Sequence, residues 1–308
     1  MRILVTGAFG YVGGRVARAL RQRGAEVVLS GRSVPSKARW ARDFDVRIGD
    51  LAAGNVSSLA EGIDVLVHLA ALPAGMANAD PTAAFAVSAL ATRKLIGECL
   101  NRGATRFIFA STAAVYGPNP LGSVTELTRT CASDAYSACH LAGEAFCNEA
   151  NRIAGRPFAV ALRLANVYGV AVTEPERGSP VHNDLCRLAA REGTISLRSS
   201  GEQSRDLVWI EDVAQAIWLT ATTPDARMGE PLFNLGGGLR MTVAELAERV
   251  AAIAGHRLGK QVEVRRPRGE PLPGFDYSIE RLSRLGYRPS VRLDEETNSL
   301  LTALLGAS

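Results

Sequence analysis

Three glycines near the amino terminus constrain this chain more than any other feature. Residues 1–14 read MRILVTGAFGYVGG, with Gly7, Gly10 and Gly13 spaced three apart. Ahead of them Ile3, Leu4 and Val5 form an unbroken apolar run, the pattern of a strand covered on both faces of a parallel sheet. Behind them Val12, Val16, Ala19 and Leu20 fall on one side of a helix, with Arg15, Arg18, Gln22 and Arg23 on the other. A strand that turns through glycines into a helix brings its backbone close to a pyrophosphate. The helix start then offers unpaired N–H groups and partial positive charge to the phosphates. The turn is therefore expected to hold a dinucleotide through Gly7, Gly10, Tyr11, Val12 and Gly13.

The next apolar run, Val27 to Ser30, predicts a second strand, and its end bears on the choice of dinucleotide. An acidic side chain about 20 residues past the glycine turn takes the ribose 2′-hydroxyl of NAD, whereas an arginine accommodates the 2′-phosphate of NADP. The chain has Ser30-Gly31-Arg32-Ser33 there, with no acid. Ser30 and Arg32 therefore favour NADP, with NAD as the alternative. Further strands are expected over Asp43 to Ile48, Ile63 to Leu69, Arg106 to Ala110 and Phe158 to Leu164. Helical patterns run from Thr82 to Arg102 and from Ser133 or Asp134 to Ala154. This alternation predicts an α/β fold, a doubly wound parallel sheet of Rossmann type with a smaller C-terminal substrate lobe. Asp50 and Leu51 follow the third strand, with Asp50 placed to meet the adenine amine. Leu69, Ala70 and Ala71 end the fourth, small enough to let a cofactor cross the sheet edge. The expected division is a dinucleotide-binding domain over 1–168, rejoined by about 207–236, with 169–308 mainly the substrate lobe. Residues 170–180 show no periodicity, and Arg205 to Ile210 is read as leading into a helix over Glu211 to Leu219. The tail is read as an Arg/Pro/Gly-rich stretch followed by a small helical element around Ile279 to Leu285.

Charge and cysteine content narrow the functional classes. The formal charge of +4 arises from 35 basic and 31 acidic residues spread along the chain. No basic block interleaved with aromatics occurs, which argues against a nucleic-acid partner. The five cysteines and four histidines show no metal-ligand spacing, so no metal is expected. An odd number of cysteines fits reduced thiols and a cytoplasmic protein. No apolar run reaches the length of a membrane span.

Six further pieces resemble the extended short-chain dehydrogenases/reductases of the nucleotide-sugar epimerase/dehydratase type. They are Thr6 to Gly13, His68-Leu69-Ala70-Ala71, Ser111-Thr112 with Val115-Tyr116-Gly117, Tyr136-Ser137-Ala138, Arg163 with Asn166 to Gly169, and Arg205-Asp206 with Asp212-Val213. The resemblance implies catalytic roles for Thr112, which would hydrogen-bond the substrate, and for Tyr136, the acid/base. It also implies that Tyr136 and His140 touch the cofactor. It assigns Asn166, Arg205 and either Arg266 or Arg268 to a nucleotide-diphosphate sugar. His182 lies in a stretch that faces the sugar in relatives, or else simply caps a helix.

Three departures from the family pattern involve four positions. The lysine expected four residues after the tyrosine is His140. The asparagine of the preceding helix falls at Ser88. Ala113 and Ala114 replace the Asp/Glu pair that drives elimination, which disfavours dehydration. The resemblance implies hydride transfer at C4 of the sugar. A neutral neighbour suits Tyr136 as proton donor, so the residues lean towards a 4-keto-sugar reductase. A nucleotide-sugar epimerase and a non-catalytic NADP(H)-binding sensor or assembly protein are the alternatives. The helices near 82–102 and 134–154 resemble the pair through which this family forms homodimers.

Overall fold

The apolar runs assemble into a single seven-stranded parallel sheet in the computed structural model, which describes residues 1–54, 56–174 and 181–306. The first half of the chain runs β1 (Arg2–Thr6), α1 (Gly13–Gln22), β2 (Glu26–Gly31), β3 (Asp45–Ile48), β4 (Val65–His68), α2 (Ala74–Ala79), α3 (Pro81–Ala84), α4 (Ala91–Asn101), β5 (Arg106–Thr112), β6 (Gly122–Val124), α5 (Ala135–Ala154) and β7 (Ala159–Leu164). The second half runs β8 (Asn166–Tyr168), α6 (Val181–Glu192), β9 (Thr194–Ser196), β10 (Ser204–Trp209), α7 (Ile210–Thr222), α8 (Asp225–Met228), β11 (Leu232–Leu235), β12 (Leu239–Thr242), α9 (Val243–Leu258), β13 (Glu263–Arg265), β14 (Phe275–Tyr277), α10 (Glu280–Arg284) and α11 (Leu293–Leu305).

The sheet order is β11-β7-β5-β4-β1-β2-β3. Successive residues of β1 explain its continuous apolar run. Ile3 and Val5 pack with α1 and α7 on one face, and Leu4 packs with α4 and α5 on the other. Each such fully buried aliphatic side chain contributes about 2 kcal/mol. The order reverses between β1 and β4, so the carboxyl ends of these strands open a crevice, the usual ligand site of such sheets.

After β7 the chain leaves the large sheet. β8, β10 and β12 form a three-stranded sheet, with β10 parallel to β8 and antiparallel to β12. α7 then returns to pack on α1, and β11 pairs with β7. A separate core gathers Tyr168, Leu185, Leu246, Val250 and Leu300 around α6, α9 and α11.

Three elements differ from the sequence reading. Residues 204–209 are a strand rather than a helix approach. The helix expected over 82–102 is interrupted by a π-helical turn at Phe85–Leu90. α11 was not anticipated, although Leu293, Thr297, Leu300, Leu301 and Leu304 share its buried face. Of the aperiodic stretch 170–180, residues 175–180 lie outside the described residues. The five cysteines are unpaired, Cys131 alone being exposed. Among the described residues no helix is long and apolar enough to cross a membrane.

Candidate active site

The glycine turn sits at the carboxyl end of β1. Gly7 has φ +68°, a left-handed conformation, and a Cβ there would lie 2.9 Å from the Ala70 backbone. A Cβ on Gly13 would lie 2.2 Å from the Gly7 carbonyl oxygen, so the start of α1 closes only with glycine. The Gly10 N–H donates to Gly7 O at 2.8 Å. Leu69 and Ala70 run alongside, with the Leu69 N–H donating to Thr6 O at 3.3 Å. This is a bare-backbone floor at a helix N-terminus, and it fits a dinucleotide pyrophosphate. Val12 leans on the core beneath. The Tyr11 side chain serves the fold, its hydroxyl donating to Gly169 O at 2.9 Å.

Around this floor the other cofactor candidates are placed as follows. Ser30 is buried in β2, and its carbonyl accepts from Ala8 N. Arg32 is exposed just beyond β2 and has no carboxylate partner among the described residues. Asp50 is exposed beyond β3, with one carboxylate oxygen accepting from Ala52 N at 2.9 Å; Leu51 is half-buried and Ala71 exposed.

The candidate catalytic side chains come from β5 and α5. Asp134 caps α5 by accepting from Ser137 N at 2.8 Å, and Ser137 reaches back in a capping box. Asn78 of α2 fixes the same turn, its Oδ1 accepting from Tyr136 N at 3.2 Å and its Nδ2 donating to Asp134 at 3.1 Å. Thr112 ends β5, and its hydroxyl accepts from Ala114 N at 3.2 Å. The structure brings Thr112 and Tyr136 together. Burial pushes the Tyr136 phenol up from its ordinary value, a hydrogen bond with Thr112 opposes that shift, and the Asp134 charge adds to it. His140 lies one turn on, with ring centroids 4.4 Å apart. Its Nδ1 is 2.8 Å from the Tyr136 carbonyl oxygen. Burial lowers the pKa of His140, partly offset by that carbonyl and by the Glu144 and Asp134 charges.

Beneath these groups lies a buried polar network that the sequence reading missed. Glu144, two turns below Tyr136 on α5, accepts from Nε and Nη2 of Arg163 at 2.9 and 2.6 Å. It also accepts from the Ser111 hydroxyl at 2.5 Å, beside Thr112. Arg163 reaches on to the Tyr116 hydroxyl at 2.7 Å, which donates to Asn234 Oδ1 at 2.6 Å. The signal was present, because Arg163 is the one charge within the apolar strand Ala159 to Leu164. A second missed residue, Glu296 of α11, binds Arg15 of α1 at 3.0 Å, the Trp209 indole at 2.8 Å and Val170 N at 2.8 Å. It ties the glycine-turn helix to the loop after β8. His68 clips β1 to α4, with Nδ1 2.7 Å from Thr6 Oγ1 and Nε2 3.0 Å from Thr92 Oγ1.

The candidate substrate residues separate into two groups. Asn166 begins β8 beside Arg205 and Asp206 of β10, with its Nδ2 donating to Asp206 O at 3.3 Å. Arg205 is half-buried, and its only hydrogen bond among the described residues is to Ser204 O at 2.9 Å. Arg268 is exposed and unpaired among the described residues. Arg266, by contrast, is held by Glu202 at 2.5 Å and Ser200 O at 2.8 Å. Of the two readings of His182, the sugar contact does not fit its position. The ring is fully buried in α6, with Nε2 2.9 Å from Thr297 Oγ1 and Nδ1 3.1 Å from Asn183 Oδ1, so neither nitrogen is free for a ligand.

Known proteins resemble this chain in sequence and in fold. A sequence model of the NAD dependent epimerase/dehydratase family matches residues 3–236. The chain is 28% identical over 274 residues to an uncharacterized UDP-glucose epimerase of Bacillus subtilis, covering 83% of each. It is 29% identical over 323 residues to a dTDP-6-deoxy-L-talose 4-dehydrogenase (NAD(P)(+)) of Kitasatospora kifunensis, covering 98% of this chain and 95% of that one. Its fold superposes on the Thermus thermophilus UDP-glucose 4-epimerase solved with NAD, with TM-score 0.81, 26% identity and full coverage of both chains.

Proposed function

The chain belongs to the NAD-dependent epimerase/dehydratase family of extended short-chain dehydrogenases/reductases, and from that premise we propose that it is a nucleotide-sugar 4-epimerase. The observation that carries the chemistry is the Thr112–Tyr136 pair at the carboxyl end of β5, beside the glycine turn. Relatives named as epimerases, aligned over most of their length, favour epimerisation over the keto-sugar reduction to which the residues alone leaned.

In this reading Thr112 holds the C4 oxygen, and Tyr136 takes its proton and gives it back. The bound cofactor supplies a hydride acceptor that returns what it takes. Gly7, Gly10, Gly13 and the backbone at Tyr11 and Val12 hold its pyrophosphate, with Asp50, Leu51, Leu69, Ala70 and Ala71 beside the rest. Arg32 gives the cleft a preference for NADP over NAD. The substrate is a uridine- or thymidine-diphosphate sugar, its diphosphate met by Asn166, Arg205 and Arg268, two arginines without a carboxylate partner among the described residues. Cofactor binding falls to 1–168 with 207–236, and substrate binding mainly to the rest of 169–308. Two copies pair through α4 and α5. Ala113 and Ala114 leave no acid/base pair for elimination, so dehydration does not follow.

One observation favours keto-sugar reduction as a second reading. His140 places no permanent cation beside Tyr136, which suits a proton donor. The two readings part in one experiment. Purified protein is given a panel of uridine- and thymidine-diphosphate hexoses with catalytic cofactor, and products are resolved by chromatography. Epimerisation yields the C4 epimer with no net change in cofactor. Consumption of reduced cofactor by a 4-keto-sugar, with no epimer from any hexose, would replace it with the reductase.

A further inference from the structure

The ring of His140 is oriented by a group that only accepts hydrogen bonds. Its Nδ1 stands 2.8 Å from the Tyr136 carbonyl oxygen, so Nδ1 carries a proton. In the neutral ring Nε2 is then a bare lone pair, and among the described residues the ring's one hydrogen bond is the one through Nδ1. The surroundings give an imidazolium no close counter-ion. On its own helix, Glu144 is already neutralised by Arg163 and Ser111. Asp134, at the helix start, is engaged by Ser137 and Asn78. Tyr136 is uncharged. From the sheet side come the Phe109 ring, 6.0 Å between centroids, and His68, whose two nitrogens are taken by Thr6 and Thr92. The residue is 3% exposed, so little water reaches the ring to compensate a charge on it.

We propose that His140 works as a neutral, Nδ1-protonated imidazole that offers the cofactor cleft a hydrogen-bond acceptor and no charge. A cofactor hydroxyl that meets it donates, where a lysine ammonium would have made the hydroxyl accept. Resting Tyr136 is then a neutral phenol, able to give a proton at once but not to take one. Resting on the epimerase reading, this makes removal of the C4 hydrogen the pH-gated half of the cycle. Its rate rises with pH towards the ionisation of Tyr136, while hydride return does not.

The test is made without substrate. Long-range proton–nitrogen spectra of isotope-labelled protein at neutral pH, with His140 assigned through its proximity to the Tyr136 ring, report which nitrogen is protonated. The expected result is protonated Nδ1 and bare Nε2. A proton on Nε2, alone or together with Nδ1, overturns the proposal. A second readout follows tyrosinate absorbance against pH in the unmutated protein and in His140→Lys, each corrected with its Tyr136→Phe counterpart. The restored cation should lower the ionisation of Tyr136 by about one to two pH units; an unchanged titration in a folded His140→Lys protein overturns the charge argument. Absence of C4 epimer from every sugar would end the epimerase reading and leave both results standing. An Nε2–H tautomer would do the reverse.

Discussion

Arg32 illustrates what one side chain decides. It stands where an NAD-specific site carries an acid, exposed and without a carboxylate partner among the described residues. A guanidinium free of competition pairs strongly with a 2′-phosphate. Arg32→Asp removes that cation and adds a repelling charge, so NADPH binding should weaken by at least about tenfold while NADH binding changes little. Fluorescence titration of both cofactors measures this, and equal affinities in the unmutated protein would remove NADP from the account. Single residues were legible in the sequence where backbone geometry dictates them, as at Gly7 and Gly13. At His182 two readings stayed open because a histidine's surroundings are set by distant chain. Thr297, which faces its ring, lies 115 positions away.

At the scale of elements, α5 matters most, because it carries Tyr136, His140 and Glu144 on one face and joins them to β5 and β7. The Glu144–Arg163 pair is 7% and 5% exposed, so removing either charge strands the other in a dry interior. Glu144→Gln should therefore cost about 3 kcal/mol in urea unfolding. Glu98→Gln, which breaks the more exposed α4 pair with Arg102 at 3.2 Å, should cost about 0.5 kcal/mol or less. Comparable losses for the two would deny the network its anchoring role.

β1, its turn and α1 were legible because period and glycine spacing agree over a short stretch. β10 was less so, since Ser204 to Trp209 mixes charge with apolar residues and is a strand only because β8 and β12 flank it. α11 has a clean apolar face, but its significance comes from Glu296, whose partners lie on α1 and β10 and after β8.

Besides His140, the whole molecule carries His68 and His182 as buried neutral rings whose protonation opposes folding. Burial lowers His68 to about 3 and His182 to about 4. Both values lie below the unfolded reference, so their contribution to stability is full above about pH 6.5 and drains away as pH falls towards the folded values. Each ring should cost about 1.4 kcal/mol of stability per pH unit across that window. Urea unfolding from neutral pH down to about pH 5 should therefore show a shallower loss for His182→Asn than for the unmutated protein. Parallel losses would mean that His182 is not buried as a neutral ring.

Assembly belongs to the same scale. Phe85, Leu90 and Ile153 are exposed apolar residues on the α4/α5 side, at 46%, 41% and 67%. With pairing through that layer, light scattering at micromolar concentration should report twice the chain mass of 32.7 kDa. A monomer mass would remove the dimer.

The central claim is that Tyr136 and Thr112 let one hydrogen leave C4 and return to the same carbon with inverted stereochemistry. Its most direct test is a nucleotide-diphosphate hexose, one turned over by the protein, deuterated at C4 and supplied with catalytic cofactor to the unmutated protein and to Tyr136→Phe. The expected product is the C4 epimer with deuterium still on C4, with a loss of about a hundredfold or more in Tyr136→Phe. Deuterium lost to solvent from the epimer, or Tyr136→Phe turning over as fast as the unmutated protein, would contradict it.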